Sequence, residues 1–185
     1  MTTQTQEKIV NGVNVTKLAE VIHNVRQDPG LADSKFRAKN NWNTGGHNTI
    51  TVDDFYSVRD TQRHKKSFVL EADEPELLLG RDKGANPVEY VLAALSSCMT
   101  TTLAYYSAAQ GLKLDQVRSE YEGDLDLQGF LGVSDTVNKG YNEIRVKFKV
   151  KGDPTAEQIK EMVKCSPVYD TLIRPIQIKI EVEKE

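Results

Sequence analysis

The chain has 185 residues, 38% of them hydrophobic and 28% charged, with a formal net charge of −3. That length suits one domain, or one domain with a small appendage, and leaves enough apolar residues for a sizeable core. The acidic balance speaks against a nucleic-acid binder, and two cysteines with three histidines offer little to a zinc site.

Residues 1–9 are polar and lack the apolar run of a secretory signal, so a cytoplasmic protein is expected. In a reducing cytosol the two thiols should not form a permanent disulfide, while a transient, catalytic one stays open. Val15, Leu18, Val21, Ile22 and Val25 recur at helical spacing, and Asp28-Pro29-Gly30 ends that helix. Residues 1–35 therefore read as an N-terminal helical appendage, and residues 36–185 as the main domain. A strand over 36–43 and another over 49–52 flank a tight turn at Thr44-Gly45-Gly46. The basic run Arg63-His64-Lys65-Lys66 reads as a solvated strand edge or turn. A third strand covers 66–72, and a loop with Pro75, Gly80 and Gly84 follows.

The long central helix begins at Asn86. Asn86 can cap it, Pro87 fits its first turn, and Glu89 can close a capping box. Gly111 is its natural terminator. The stretch 86–109 is long enough to span a membrane, but its serines and threonines make it a poor spanning helix. No membrane association is expected. Alternation over 113–127 and 142–151 predicts two long antiparallel strands, joined by a loop carrying Gly129, Gly132 and Gly140. A second helix covers about 155–164. Ile176, Ile178, Ile180 and Val182 alternate with polar residues, which predicts a last half-buried strand. Antiparallel runs around two helices define an α+β class.

Cys98 sits near the middle of the central helix, on a face shared with Val91, Ala94, Leu95, Thr101, Thr102 and Tyr105. Periodicity alone makes it a packing residue. Burial without a nearby cation would leave such a thiol inert. The register of the whole helix points elsewhere. "GANPVEYVLAALSSCMTTTLAYYSAAQGL", two long strands and then "CSPVYDTLIRPIQIKIEVE" resemble the OsmC/Ohr family of osmotically inducible and organic-hydroperoxide-resistance proteins, over roughly residues 36–185. The motif N-P-x-E-x-x-x-A-A-x-x-x-C fixes cap, proline, small residues and cysteine in one register.

The resemblance implies an interlocked homodimer with antiparallel sheets around two long central helices and active sites at the subunit interface. It implies that Cys98 is peroxidatic: its thiolate attacks an organic hydroperoxide, releasing an alcohol and leaving a sulfenic acid. A second cysteine near the end of the second helix, here Cys165, would condense with it, and an external dithiol would restore both. No metal or bound cofactor is implied.

Three positions depart from the family pattern. Val88 stands where the hydroperoxide-reductase branch has a Glu directly after the Pro. Glu89 is next door, but nine positions before Cys98 is about 180° away on the helix. Its first reading is the capping box, with a role across the dimer interface as the alternative. His47 follows Gly45-Gly46 where the family has an activating Arg. It could lower the Cys98 pKa, or simply be a turn histidine, and Arg59, Arg63 and Arg81 are other candidate cations. Ser166 precedes Pro167 where the branch has its resolving cysteine, with Cys165 one residue earlier. The expected function is a thiol-dependent peroxidase. The alternatives are a stress-response dimer whose interface binds a small apolar ligand or acyl thioester without peroxidase activity, and a structural dimer without a site.

Overall fold

A computed structural model describes residues 7–184; the polar start at residues 1–6 and Glu185 lie outside the described residues. In chain order the elements are β1 (Ile9–Val10), β2 (Val13–Asn14), α1 (Val15–Gln27), β3 (Lys35–Phe36), β4 (Lys39–Thr44), β5 (His47–Ser57) and β6 (Asp60–Ala72). Then come α2 (Pro87–Ala109), β7 (Leu114–Leu125), α3 (Leu127–Phe130), β8 (Tyr141–Gly152), α4 (Ala156–Lys164) and α5 (Pro167–Ile173). The result is a mixed α and β fold with antiparallel sheets. The chain divides into two units, one holding residues 7–9 and 14–91, the other residues 10–13 and 92–184.

In the first unit, β5 is the central strand, with β3, β4 and β6 paired antiparallel to it. The expected strand over 36–43 is thus two short strands, both of them partners of β5. Asn14 caps α1 by accepting from Lys17 N at 3.0 Å, and Asp28 ends it as expected. Gly45, at φ +58°, makes the expected turn from β4 into β5. The turn from β5 into β6 is less ordinary. Val58 and Arg59 both take positive φ, at 52° and 61°, a conformation that costs a β-branched residue most. Arg59 is held there by Asp28, whose Oδ1 lies 2.7 Å from the guanidinium and also accepts from Gly30 N at 3.2 Å. The run 63–66 is not a turn but lies inside β6. His64 packs there between the rings of Phe55 and Phe68, at 5.2 and 5.1 Å.

The second unit carries the buried core. Leu95, Met99 and Leu103 recur at i, i+4, i+8 on α2 and meet Met162 and Val163 of α4. Val117, Tyr121, Ile144, Phe148 and Val150 of the β7–β8 pair pack against this cluster. Each fully buried side chain of this size contributes roughly 1.5–3 kcal/mol. The opposite face of β7–β8 is a charge ladder. Glu120 meets Lys149 at 3.1 Å, and Arg145 pairs with both Glu122 and Asp124. The alternation read from the sequence is this division between an apolar and a charged face. Gly123 is required by its cross-sheet neighbour, since a Cβ there would lie 2.4 Å from the Tyr141 ring.

Both ends of α2 follow the sequence. At its C-terminus Gly111 takes φ +73°, and Leu112 N and Gly111 N bond to Ser107 O and Ala108 O, the two bonds of a Schellman cap. Thr155 and Gln158 form a full capping box on α4. The last strand is corrected. Residues 175–184 form no strand, and Ile176, Ile178, Ile180 and Val182 are all exposed. The alternation is real, but among the described residues no edge pairs with it, and a strand needs a ladder to be one.

Candidate active site

The site begins at the entry to α2. Asn86 Oδ1 accepts from Val88 N at 2.9 Å, and Glu89 returns its carboxylate to Asn86 N at 2.9 Å. Glu89 thus occupies the capping position its spacing suggested, and Val88 lends its amide to the same cap. Asn86 also donates its side-chain amide to Glu74.

Eleven residues into the helix from Pro87, Cys98 is a free, partly exposed thiol. On its own face Leu95 and Thr102 are buried, while Ala94, Thr101 and Tyr105 are exposed. Cys98 therefore lies on the border between the packed and the open side of α2. A thiol that is to meet a substrate needs such access, which a residue at the centre of the core would lack.

Cys165 is also a free thiol, and the two cysteines are not bonded to each other. Cys165 is the C-cap of α4, where its Sγ lies 3.5 Å from Glu161 O. Tyr106 of α2 hydrogen-bonds to the same sulfur. That bond, and then the charge the sulfur can carry, raise the tyrosine hydroxyl above the usual phenol range. Tyr106 is eight residues beyond Cys98, about 12 Å further along the helix axis. Ser166 is turned inward: it is 0% exposed and its Oγ caps α5 by accepting from Tyr169 N. The helix does not run on through the Ser166-Pro167 corner. It stops, and Pro167 opens a new one.

In the first unit His47 is not a bare turn histidine. Its Nε2 lies 2.6 Å from Glu71 Oε2, with the imidazole side chain 23% exposed. Thr49 donates its hydroxyl to the same carboxylate oxygen at 3.2 Å, and Asn43 Nδ2 donates to Thr49 Oγ1 at 2.8 Å. Tyr90, three residues into α2, donates its hydroxyl to Glu71 O at 2.7 Å. Two of the other candidate cations are engaged elsewhere: Arg59 with Asp28, and Arg63 with Asp53 at 3.6 Å. Arg81 gives its backbone amide to Asp73.

Asp73 anchors the loop that leads to α2. It is 1% exposed, and its two oxygens accept from the amides of Glu74, Arg81 and Lys83. Burial opposes its ionisation, but the three amides outweigh that and hold the carboxyl below the usual range. Gly80 and Gly84 let this loop close, since a Cβ at either would meet the backbone of Glu74 or Glu71 within 2 Å.

The reading of the sequence missed Glu71, Asp73, Tyr90 and Tyr106. Glu71 had one available signal: the strand alternation puts it opposite Thr49, two residues past His47. Nothing local marks the other three, because their partners are distant in sequence or are backbone amides. Among the described residues no group of three or more His, Cys, Asp or Glu could hold a metal, and no helix is long and apolar enough to cross a membrane.

A cysteine on a long, small-residue helix, in an α and β fold with antiparallel sheets, defines the class. The family model of OsmC-like proteins matches residues 80–181, more than half of the chain. The chain belongs to the OsmC-like family. Solved structures agree on the fold. An OsmC-like protein from Mycoplasma pneumoniae superposes with a TM-score of 0.56 at 17% identity, covering 75% of this chain and 87% of that one. An OsmC-like protein of unknown function from Vibrio cholerae gives 0.56 at 14% identity, covering 74% and 92%. A protein from Legionella pneumophila described as an organic hydroperoxide resistance protein and predicted redox protein gives 0.52 at 16% identity, covering 74% and 89%. No curated protein sequence matches the chain.

Proposed function

We propose that this protein is a cytosolic, homodimeric, thiol-dependent peroxidase that reduces organic hydroperoxides through Cys98. The position of Cys98 carries the reading. It is a free, partly exposed thiol, in the motif register of the family, on the border of the packed face of α2. The description of the Legionella relative as a hydroperoxide resistance protein points the same way.

The chemistry balances simply. The Cys98 thiolate attacks the distal oxygen of R–O–O–H, the O–O bond breaks, and the departing alkoxide takes a proton to leave as R–OH. Cys98 becomes a sulfenic acid, two electrons more oxidised. A thiol then condenses with it, releasing water, and a second thiol reduces the mixed disulfide. His47, whose imidazole meets Glu71, remains a candidate for activating the thiol. An external dithiol serves as reductant. Cys165 is the candidate for an internal disulfide, and it closes that bond only if the α4–α5 corner turns it away from Tyr106 and Glu161.

The dimer is supported by the apolar residues that one chain leaves exposed. Phe36 is 80% exposed, Trp42 73% and Ile180 81%. Isolated exposed apolar residues are ordinary, but an alternating row of four at 176–182 is the signature of a strand awaiting an edge. The same exposure supports the second reading, an interface that binds a small apolar ligand with no peroxidase activity. Cumene hydroperoxide consumption with dithiothreitol separates the two. The first reading expects consumption that depends on Cys98. The second expects retained fatty acid and an unoxidised Cys98 by mass spectrometry.

A further inference from the structure

The turn from β5 into β6 is made of residues that such a turn rarely carries. Ser57 and Asp60 are the last cross-strand partners, so Val58 and Arg59 form a two-residue turn. Both take positive φ, as a type I′ turn requires, and that turn favours Asn-Gly. A β-branched residue in this region is an outlier, and a strained turn persists where its surroundings hold it. Here the segment after α1 holds it, within the same unit of the chain. Arg59 Nη2 donates to Asp28 Oδ1 at 2.7 Å, and the same oxygen accepts from Gly30 N at 3.2 Å. Gly30, in the short 3₁₀ turn Pro29–Ala32, leaves the guanidinium its place: a Cβ there would lie 3.0 Å from Nη2. Further along, Ser34 Oγ and Ser57 Oγ lie 3.0 Å apart. The helix needs a fastening of this kind. No residue of α1 is buried, and Val21 and Ile22 are exposed. A helix of 13 residues is marginal without a packed face to stabilise it.

We infer that Asp28 and Arg59 form a clasp that fastens α1 to the tip of the β5–β6 hairpin and that raised ionic strength opens. The clasp accounts for both ends of the contact. The turn gives up Asn-Gly so that Arg59 stands within reach of Asp28, and Gly30 keeps the approach open. The bond is charge-assisted, but its side chains are 60% and 39% exposed, so dissolved ions compete with it. Opening it frees α1 and leaves the hairpin paired, because the β5–β6 ladder rests on backbone bonds along the strands. The inference does not depend on the role of Cys98.

Hydrogen–deuterium exchange of the full chain tests it, read by mass spectrometry on peptides from α1 and from the hairpin tip. The samples are the parent, Asp28→Asn, Arg59→Gln and Arg59→Gly. Asp28→Asn keeps an acceptor for Gly30 N and removes the charge. Between about 0.05 and 1 M sodium chloride, exchange in α1 of the parent is expected to rise about 3-fold, as screening weakens an exposed pair. At low salt, Asp28→Asn and Arg59→Gln should exchange there about 3- to 10-fold faster than the parent, the range of a partly exposed charge-assisted bond. Neither variant should respond further to salt. Arg59→Gly separates the fastening from the turn. Glycine suits a positive φ, so the tip amides should exchange no faster than in the parent while α1 exchanges faster. Equal α1 rates in parent and variants, or one salt response shared by all of them, would overturn the inference. So would a tip that loosens together with α1 in Arg59→Gly, since Arg59 would then hold the turn and not the helix.

Discussion

Cys165 and Ser166 are neighbours in sequence but face opposite environments: the cysteine is exposed at the C-cap of α4, and the serine is fully buried as the N-cap of α5. A change of helix falls between them. The position before Pro167 is the inward one, and here it holds a hydroxyl. This arrangement places the second thiol outside, beside Tyr106. Cys165→Ser is therefore expected to keep peroxide turnover with dithiothreitol within about 3-fold of the parent, since a side chain outside the reacting atoms contributes little to transition-state stabilisation. Moving the thiol inward, as Cys165→Ser with Ser166→Cys, should create an internal disulfide with Cys98 after one equivalent of hydroperoxide. Mass spectrometry under non-reducing conditions detects it as the loss of two hydrogens. A disulfide in the parent but not in the moved-thiol variant would reverse this assignment.

Leu103 is the most enclosed apolar side chain of α2, at 0% exposure, between Met99 and the α4 residues of the core. Leu103→Ala should cost about 2–5 kcal/mol through lost burial and the cavity left behind. Chemical denaturation measures it. Cys98 lies off this face, so its alkylation rate in the folded variant should stay within about 2-fold of the parent, access being set by its own environment.

Asp73 makes the loop before α2 sensitive to acid. Its folded carboxyl titrates below its unfolded value, so the stabilisation it gives is present above the unfolded value of about 4. It is lost as the pH falls through the lowered folded value. Limited proteolysis by pepsin over a descending pH series should show cleavage within 74–84 appearing only in strong acid. Asp73→Asn keeps one acceptor oxygen and sets an amide against backbone N–H groups. It should be cleaved there at a higher pH than the parent.

The proposed homodimer would give the exposed alternating row at 176–182 an edge to pair with. Sedimentation equilibrium at micromolar concentration should give the mass of a dimer for the parent. Ile178→Lys with Ile180→Lys puts two charges on the apolar face of that row, and a monomer or a strongly concentration-dependent mass is expected. A parent that sediments as a monomer contradicts the homodimer.

Much of the fold was legible in the sequence because it is written in local patterns. The cap at Asn86 and Glu89, the Gly111 terminator and the alternation of β7 and β8 all rest on neighbours within a few residues or on strict period. The misreadings came where pattern and partner separate. Residues 176–182 alternate as a strand should, yet alternation says only that one face is apolar, not that an edge is present. The charge run at 63–66 does lie on an edge strand, one of its two expected readings, but His64 within it packs against Phe68 four residues on and against Phe55 across the β5–β6 hairpin, a contact that only the hairpin register supplies. Among the candidate site residues, the capping bond of Glu89 was legible through its spacing, and Cys98 was singled out by the motif register, with its role left to the proposal. The Glu71 partner of His47 was not legible, because it depends on the β5–β6 register, which is set along the whole hairpin. The engagement of Arg59 with Asp28 likewise joins residues that the sequence separates by a helical turn and three strands.

The central claim is that Cys98 is the nucleophile of a hydroperoxide reductase. The most direct measurement is the consumption of cumene hydroperoxide by the parent and by Cys98→Ser, with dithiothreitol as reductant and dimedone trapping of the sulfenic acid in parallel. The account predicts rapid consumption by the parent, a dimedone adduct on Cys98 when reductant is withheld, and no consumption above the reagent background in Cys98→Ser. Equal rates in parent and variant, or an adduct on Cys165 with none on Cys98, would contradict it.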